Sequence, residues 1–196
     1  GIDYYWIGDF KKAEKHCRKV ARNKNVPQNI ADQNQKNLQF ALERQGKVKG
    51  KGNKPFTVAS MFTVGTEYEA EIQKLKAGLD KFKVKYELVG VKPQSSWEKN
   101  TQMKPHIIKL VMEKYKTPVV WIDADATIHK PLDFFANVRG DIAFHTLTWS
   151  KGQPNEFNEM LVGTLWFNNN KKSINFLNGW INLNNQNDLP DGKNFQ

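Results

Sequence analysis

The stretch Val119-Val-Trp-Ile-Asp-Ala-Asp-Ala126 decides the fold. Its first four residues are too short a run for a helix and lack the polar alternation of a strand with one wet face. Val119 to Ile122 is therefore expected to be a central parallel strand, buried on both sides. Two acids follow at once. Open α/β sheets bind ligands in the crevice at the carboxyl ends of their strands, so Asp123 and Asp125 are the first residues to consider for chemistry. On an extended segment, residues i and i+2 point the same way, and two carboxylates flanking the small Ala124 converge on one divalent cation. Oxygen-only ligands favour Mg²⁺ or Mn²⁺, ions that in turn clamp a diphosphate. An Asp-x-Asp match alone is equally a solvated turn; its place after a buried strand is what favours a site.

Outward from this strand the chain alternates strand and helix signals. Phe56 to Thr63 reads as a buried strand, followed by an amphipathic helix carrying Tyr68, Ile72, Leu75, Leu79 and Phe82. Lys85 to Val91 is a second strand. Pro105 opens a helix with Ile107, Ile108, Leu110, Val111 and Tyr115 that stops before Pro118. Ile142 to Thr146 and Leu161 to Phe167 are further strands, and Ile174, Phe176, Leu177, Trp180, Ile181 and Leu183 mark a last helix. The fold class is α/β, an open and mostly parallel sheet with flanking helices.

Before Pro55 the chemistry differs. Asp9, a possible N-cap, precedes a helix to about Asn23 with Phe10, Ala13, Cys17, Val20 and Ala21 on one side and Lys11, Lys12, Lys15, Arg18, Lys19 and Arg22 on the other. A second, polar helix runs from Pro27 to Arg44, with Ile30, Leu38, Ala41 and Leu42 as a thin apolar stripe. Gln45 to Lys54 holds three glycines and four lysines, the composition of a linker. The expected division is a basic helical arm with linker over 1–54 and an α/β domain over 55–196. Of the formal net charge of +10 in 196 residues, residues 1–54 carry +8 and the rest +2. An excess of that kind points to an anionic partner for the arm. The single Cys17 forms no intramolecular disulfide, and no apolar run is long enough for a transmembrane segment, so a cytoplasmic location is the expectation.

The segment Val119 to Ala126, preceded by Trp97-Glu-Lys-Asn-Thr-Gln-Met-Lys-Pro-His-Ile-Ile108 and followed by Pro131-Leu-Asp-Phe-Phe135, resembles the nucleotide-diphospho-sugar transferases of the GT-A fold. The similarity continues through Gly163-Thr-Leu-Trp-Phe-Asn168 and the helix holding Trp180, over roughly residues 55–185. The resemblance implies a glycosyltransferase that moves a sugar from a nucleoside diphosphate to an acceptor, with Mn²⁺ or Mg²⁺ on the Asp-x-Asp pair. It assigns nucleotide-sugar binding to Ala59, Ser60, Met61, Phe62 and Thr63, metal and ribose contacts to Asp123, Ala124 and Asp125, with Asp125 as the direct ligand, and the sugar and acceptor pocket to Gly163 and Thr164. Family members continue with an Asp-Gln step and often a late His or Asp that completes the metal site. Here the chain runs through Asp188-Leu-Pro-Asp-Gly-Lys-Asn194 to Gln196, and those parts are expected to be absent or much reduced.

Departure of a diphosphate needs its growing negative charge neutralised. Lys104, at a helix N-terminus, is the candidate cation or an ordinary solvated lysine. Trp97, Asn100 and Gln102 in the preceding loop are candidates for contact with nucleotide or sugar. An inverting mechanism needs a general base, for which Asp141, Glu156 and Glu159 are the acids in the right half of the chain, and His129 or His145 could replace a missing metal ligand. The acceptor is left open among glycan, protein and nucleic acid. A second class of function also stands: a nucleic-acid-binding or scaffolding protein whose α/β domain lacks competent catalysis, or a glycosyltransferase acting on DNA.

Overall fold

The computed structural model describes residues 10–23, 25–44 and 55–195, which form two compact units divided after Asn53. The N-cap expected at Asp9 and the linker expected over 45–54 lie outside the described residues.

The first unit is a pair of helices, α1 (Phe10–Ala21) and α2 (Gln28–Arg44). Their contact is built from small and polar groups. Ala13, Cys17 and Ala41 are buried, and the buried Asn34 amide donates to the Cys17 carbonyl at 2.9 Å. Glu14 is buried as well and accepts from Arg18 Nε at 2.9 Å. Ile30, expected on the apolar stripe of α2, is half exposed.

The second unit is a five-stranded sheet in the order β2-β1-β3-β5-β4, formed by β1 (Thr57–Thr63), β2 (Tyr86–Val91), β3 (Val119–Ile122), β4 (Ile142–Trp149) and β5 (Phe157–Phe167). β1 pairs in parallel with β2 and β3, whereas β5 runs antiparallel to both β3 and β4. Four strands thus share one direction. β3 lies in the middle with every residue buried, as its apolar run demands, but its second neighbour is antiparallel rather than parallel.

Side chains alternate between the two sheet faces and build two cores. Ala59, Val119, Trp121, Leu165 and Phe167 pack with α5 (Lys104–Tyr115), α6 (Lys171–Asn184) and the short α7 (Asp191–Phe195) through Ile108, Val111, Met112, Leu177, Trp180 and Phe195. Val58, Val120, Ile122 and Trp166 pack on the other face with Ile72, Leu75 and Leu79 of α3 (Tyr68–Lys81). Pro105 occupies the first turn of α5, and Lys116 ends that helix in the left-handed conformation at φ 54°. Leu110 and Leu183, read as core from their spacing, are half exposed on α5 and α6.

The segment 97–101, expected as loop, is the helical turn α4 (Trp97–Thr101), capped by Ser96 Oγ, which accepts from the Lys99 amide. β4 and β5 are longer than their apolar stretches predicted, reaching Trp149 and Phe157 as a hairpin. The chain beyond α6 folds back onto the corner between α4 and α5. Asn184 Nδ2 donates to the Gln102 carbonyl, and Gln102 Nε2 donates to the carbonyls of Asn187 (3.0 Å) and Leu189 (2.7 Å). Lys99 pairs with Asp188 at 2.7 Å. This return brings the buried Asp191 to the carboxyl end of the sheet.

Candidate active site

A cleft of about 330 Å³ opens at the carboxyl ends of β1 and β3. Met61, Phe62 and Thr63 enter it from the end of β1, Trp121, Asp123, Ala124 and Asp125 from the end of β3, and Tyr68 from the start of α3. Trp97, Asn100, Thr101 and Lys104 line it from α4 and α5, and Val162 and Asp191 close it from β5 and α7.

Asp123 is the most constrained of these groups. It follows Trp121 by two residues on the same side of the strand, and the Trp121 indole N–H donates to Asp123 Oδ1 at 2.6 Å. The Asp123 amide donates to the Gly163 carbonyl at 2.9 Å, extending the β3–β5 pairing by one step. A Cβ on Gly163 would stand 3.3 Å from Asp123 Oδ2, so the glycine leaves that oxygen room to face the cleft. Past this point the strand gives way to a turn closed by the Ala126 amide on the Asp123 carbonyl at 3.1 Å. Asp123 therefore reaches the cleft from the strand end and Asp125 from the turn that follows, so the two acids are not i and i+2 of one extended segment. Asp125 is exposed, with no hydrogen-bond partner among the described residues.

Lys104 is not a solvated lysine. Its side chain is 5% exposed, and Nζ lies 3.0 Å from Asp123 Oδ1, 2.8 Å from Asp191 Oδ2 and 3.1 Å from the Val162 carbonyl. It also sits 5.4 Å from the centre of the Trp121 ring. The contact with the Val162 carbonyl is a hydrogen bond, and the two carboxylates are its ion-pair partners. Lys104 lines the cleft, as expected of a cation for the leaving group, and also serves as the strut of a charged triangle joining β3 to the C-terminal segment. Asp191 is fixed in that triangle from its backbone: its amide donates to Thr101 Oγ1 at 3.2 Å and its carbonyl accepts from the Trp180 indole at 3.1 Å.

The other expected residues divide clearly. Met61, Phe62, Thr63, Trp97, Asn100 and Ala124 line the cleft. Ala59 and Ser60 are buried in the sheet, Gln102 is the clamp on the C-terminal segment, and Thr164 pairs with Ile122 away from the lining. None of the three candidate bases is in the cleft. Asp141 sits at the opposite end of the sheet, next to the Ile142–Phe167 pair, where Asn170 first and then Lys172 hold its carboxyl below the ordinary carboxylate range. Glu156 Oε2 accepts from the Gly152 amide in the hairpin turn, and Glu159 Oε2 accepts from the Trp149 indole. His129 and His145 lie outside the lining.

Tyr68, Thr101, Trp121, Val162 and Asp191 complete the wall without having been singled out from the sequence. The signal for Trp121 was its place two residues before Asp123. Asp191 carried no comparable signal, because its neighbours in the cleft are far away along the chain.

No family model and no curated protein matches the sequence. Among solved structures, that of a glycosyltransferase involved in the glycosylation of the major capsid of PBCV-1 superposes with a TM-score of 0.51. The match is 16% identical in sequence and covers 67% of each chain. The fold is GT-A-like. At that identity the likeness concerns architecture alone: an open, mostly parallel sheet with flanking helices, and a cleft at the carboxyl ends of its strands. Among the described residues no helix is long and apolar enough to cross a membrane.

Proposed function

We propose that the GT-A-like unit transfers a glycosyl group from a nucleoside-diphosphate sugar to an acceptor, with Mn²⁺ or Mg²⁺ held at Asp125 and Asp123. The observation that carries this reading is the division of labour in the cleft. Asp123 is held in place through Oδ1, Lys104 is ion-paired with Asp123 and Asp191, and Asp125 is left unpaired and exposed in the cleft lining.

The charges in the cleft decide what it can accept. Asp123, Asp125 and Asp191 against Lys104 leave two negative charges in excess, so a diphosphate is repelled unless a divalent cation enters with it. The donor set fits a hard cation: all the available ligands are carboxylate oxygens. No group of three His, Cys, Asp or Glu residues among those described could hold a metal alone, so phosphate oxygens and water would complete the shell. When bound, the metal would supply charge neutralisation at the departing diphosphate.

The chain's own residues do the rest. Trp97, with 58% of its surface exposed, and the ring of Tyr68 offer stacking faces for a base at the lip of the cleft. Asn100 and Thr63 bring polar groups to the same wall. The Trp121 indole and Lys104 hold Asp123 in one orientation, so no reorganisation is needed when the donor arrives.

Calorimetry with nucleoside diphosphates, with and without Mn²⁺, tests the proposal. Metal-dependent binding is expected in the wild type, and Asp125→Ala should weaken it by at least about tenfold, roughly 1.4 kcal/mol. Metal-independent binding, or binding unchanged in that variant, overturns it.

A further inference from the structure

β5 does not stop where its neighbour does. β3 ends at Ile122, opposite Thr164; β5 bulges between Leu161 and Leu165, opposite His145 and Phe144, and its residues Phe157 to Leu161 pair only with the edge strand β4. Past this bulge five residue pairs, from His145–Leu161 to Trp149–Phe157, at about 3.3 Å per residue carry the hairpin on the order of 15 Å beyond the end of β3, the end that bears Asp123 and Asp125. At its tip Trp149 and Phe157 stand directly opposite each other, 46% and 56% exposed, with ring centroids 6.4 Å apart and planes 21° from parallel. Isolated exposed apolar side chains are ordinary, but a stacked pair at a strand end is a surface with a use.

The pair is held ready. The Trp149 indole N–H donates to Glu159 Oε2 at 2.7 Å, which fixes the ring and leaves Glu159 Oε1 without a hydrogen-bond partner among the described residues. The turn is closed on itself, with the Gly152 amide on Glu156 Oε2 at 2.6 Å and the Gln153 amide on the Ser150 carbonyl at 2.9 Å. Binding to such a surface orders little that is not already ordered.

Charge selects the occupant. From Ile142 to Phe167 the only Lys, Arg, Asp or Glu side chains are Lys151, Glu156 and Glu159. A nucleic acid strand also stacks on aromatic rings, but it needs a cationic groove along its backbone, and the hairpin carries a net negative charge. A neutral sugar chain meets both features: the C–H face of a pyranose covers the rings by dispersion contact, and its hydroxyls reach the open carboxylate oxygen at the ring edge.

We infer that Trp149 and Phe157 form the platform for a neutral glycan acceptor. This rests on the transfer reaction proposed above and names the class of molecule that receives the sugar.

The full chain is titrated with a panel of neutral oligosaccharides, β-gluco-, β-xylo-, β-manno- and α-gluco-hexaoses, and with a single-stranded DNA 12-mer. The readouts are calorimetry and tryptophan fluorescence. At least one oligosaccharide is expected to bind, with affinity falling about tenfold or more in Trp149→Ala and in Phe157→Ala and restored in Phe157→Tyr. Nucleoside-diphosphate affinity should be the same in all three variants, which separates this inference from the donor reading: that reading fails through Asp125, this one through the rings. Binding of no member of the panel, equal sugar affinity in the alanine variants, or preference of the hairpin for the DNA overturns it.

Discussion

The two units solve the problem of burial in opposite ways. The α/β unit has large apolar side chains on both faces of its sheet, including the fully buried Trp121, Trp166 and Trp180. With that much core it can keep a charged triangle, Lys104 with Asp123 and Asp191, at one end of the sheet. Among the described residues the helical unit buries only Ala13, Cys17 and Ala41 as apolar groups, and its helices are joined by close approach and by the Asn34 bond to the Cys17 carbonyl. Its charge is turned outward along α1, where Lys11, Lys15, Lys19 and Arg22 are exposed. The difference teaches where each unit can act: one in a concave site that depends on its core, the other through a surface that barely depends on one.

The comparison breaks most easily at the triangle. Replacing Lys104 by Met leaves the buried Asp191 carboxylate without its counter-charge, and removal of one partner from a buried pair costs about 3–5 kcal/mol. The expected result in denaturant titration is a loss near that range, with faster hydrogen exchange in α5 and β5 and unchanged exchange in α1 and α2. A loss below about 1 kcal/mol would mean that the triangle behaves like a surface pair. In the helical unit Ala13→Leu should overfill the contact and cost about 1–3 kcal/mol, seen as faster exchange in α1 and α2. Asn34→Ala should follow at about 1 kcal/mol, through loss of one buried hydrogen bond. If it costs nothing, the packing of small residues holds the pair of helices alone.

The smallest effect concerns pH. Lys114 first, then Tyr115, holds the Glu87 carboxyl below its ordinary value of 4.5. A carboxylate depressed on folding contributes stability that is present above the unfolded value and lost as pH falls through the folded one. Glu87→Gln should therefore make the fall of thermal stability below pH 4.5 shallower than in the wild type, while leaving its shape near neutrality unchanged.

What could be read beforehand follows the range of each interaction. Local patterns were legible: the four apolar residues of β3 place Asp123 and Asp125 at a strand end, and Pro105 marks the start of α5. The hairpin ends were not, because β4 and β5 continue past the sheet with Thr148, Trp149, Phe157 and Asn158, which have no core face to impose a period. Lys104 was legible as a residue at a helix N-terminus but not as a buried one. Its partners are Asp123 and Asp191, and only the return of the chain through Gln102, Asn187 and Leu189 brings the second of them within reach. Glu156 and Glu159 looked like free acids in the right half of the chain; their hydrogen bonds to Gly152 and Trp149 depend on a turn that composition alone did not reveal.

The same return has a consequence for how the protein comes into being. Lys104 precedes Asp191 by 87 positions, so at about 5–20 residues per second a ribosome needs roughly 4–17 s to supply the second acid after the lysine. During that interval a nascent sheet has β3 and α5 but an unfilled seat beside Lys104, and its apolar end is uncovered by Trp180 and Phe195. The elements that seal the cleft, β5 and α7, are therefore made after the ones that bear Asp123 and Lys104, and an elongation stall between β5 and α7 would leave a sticky, half-built wall for chaperones to shield.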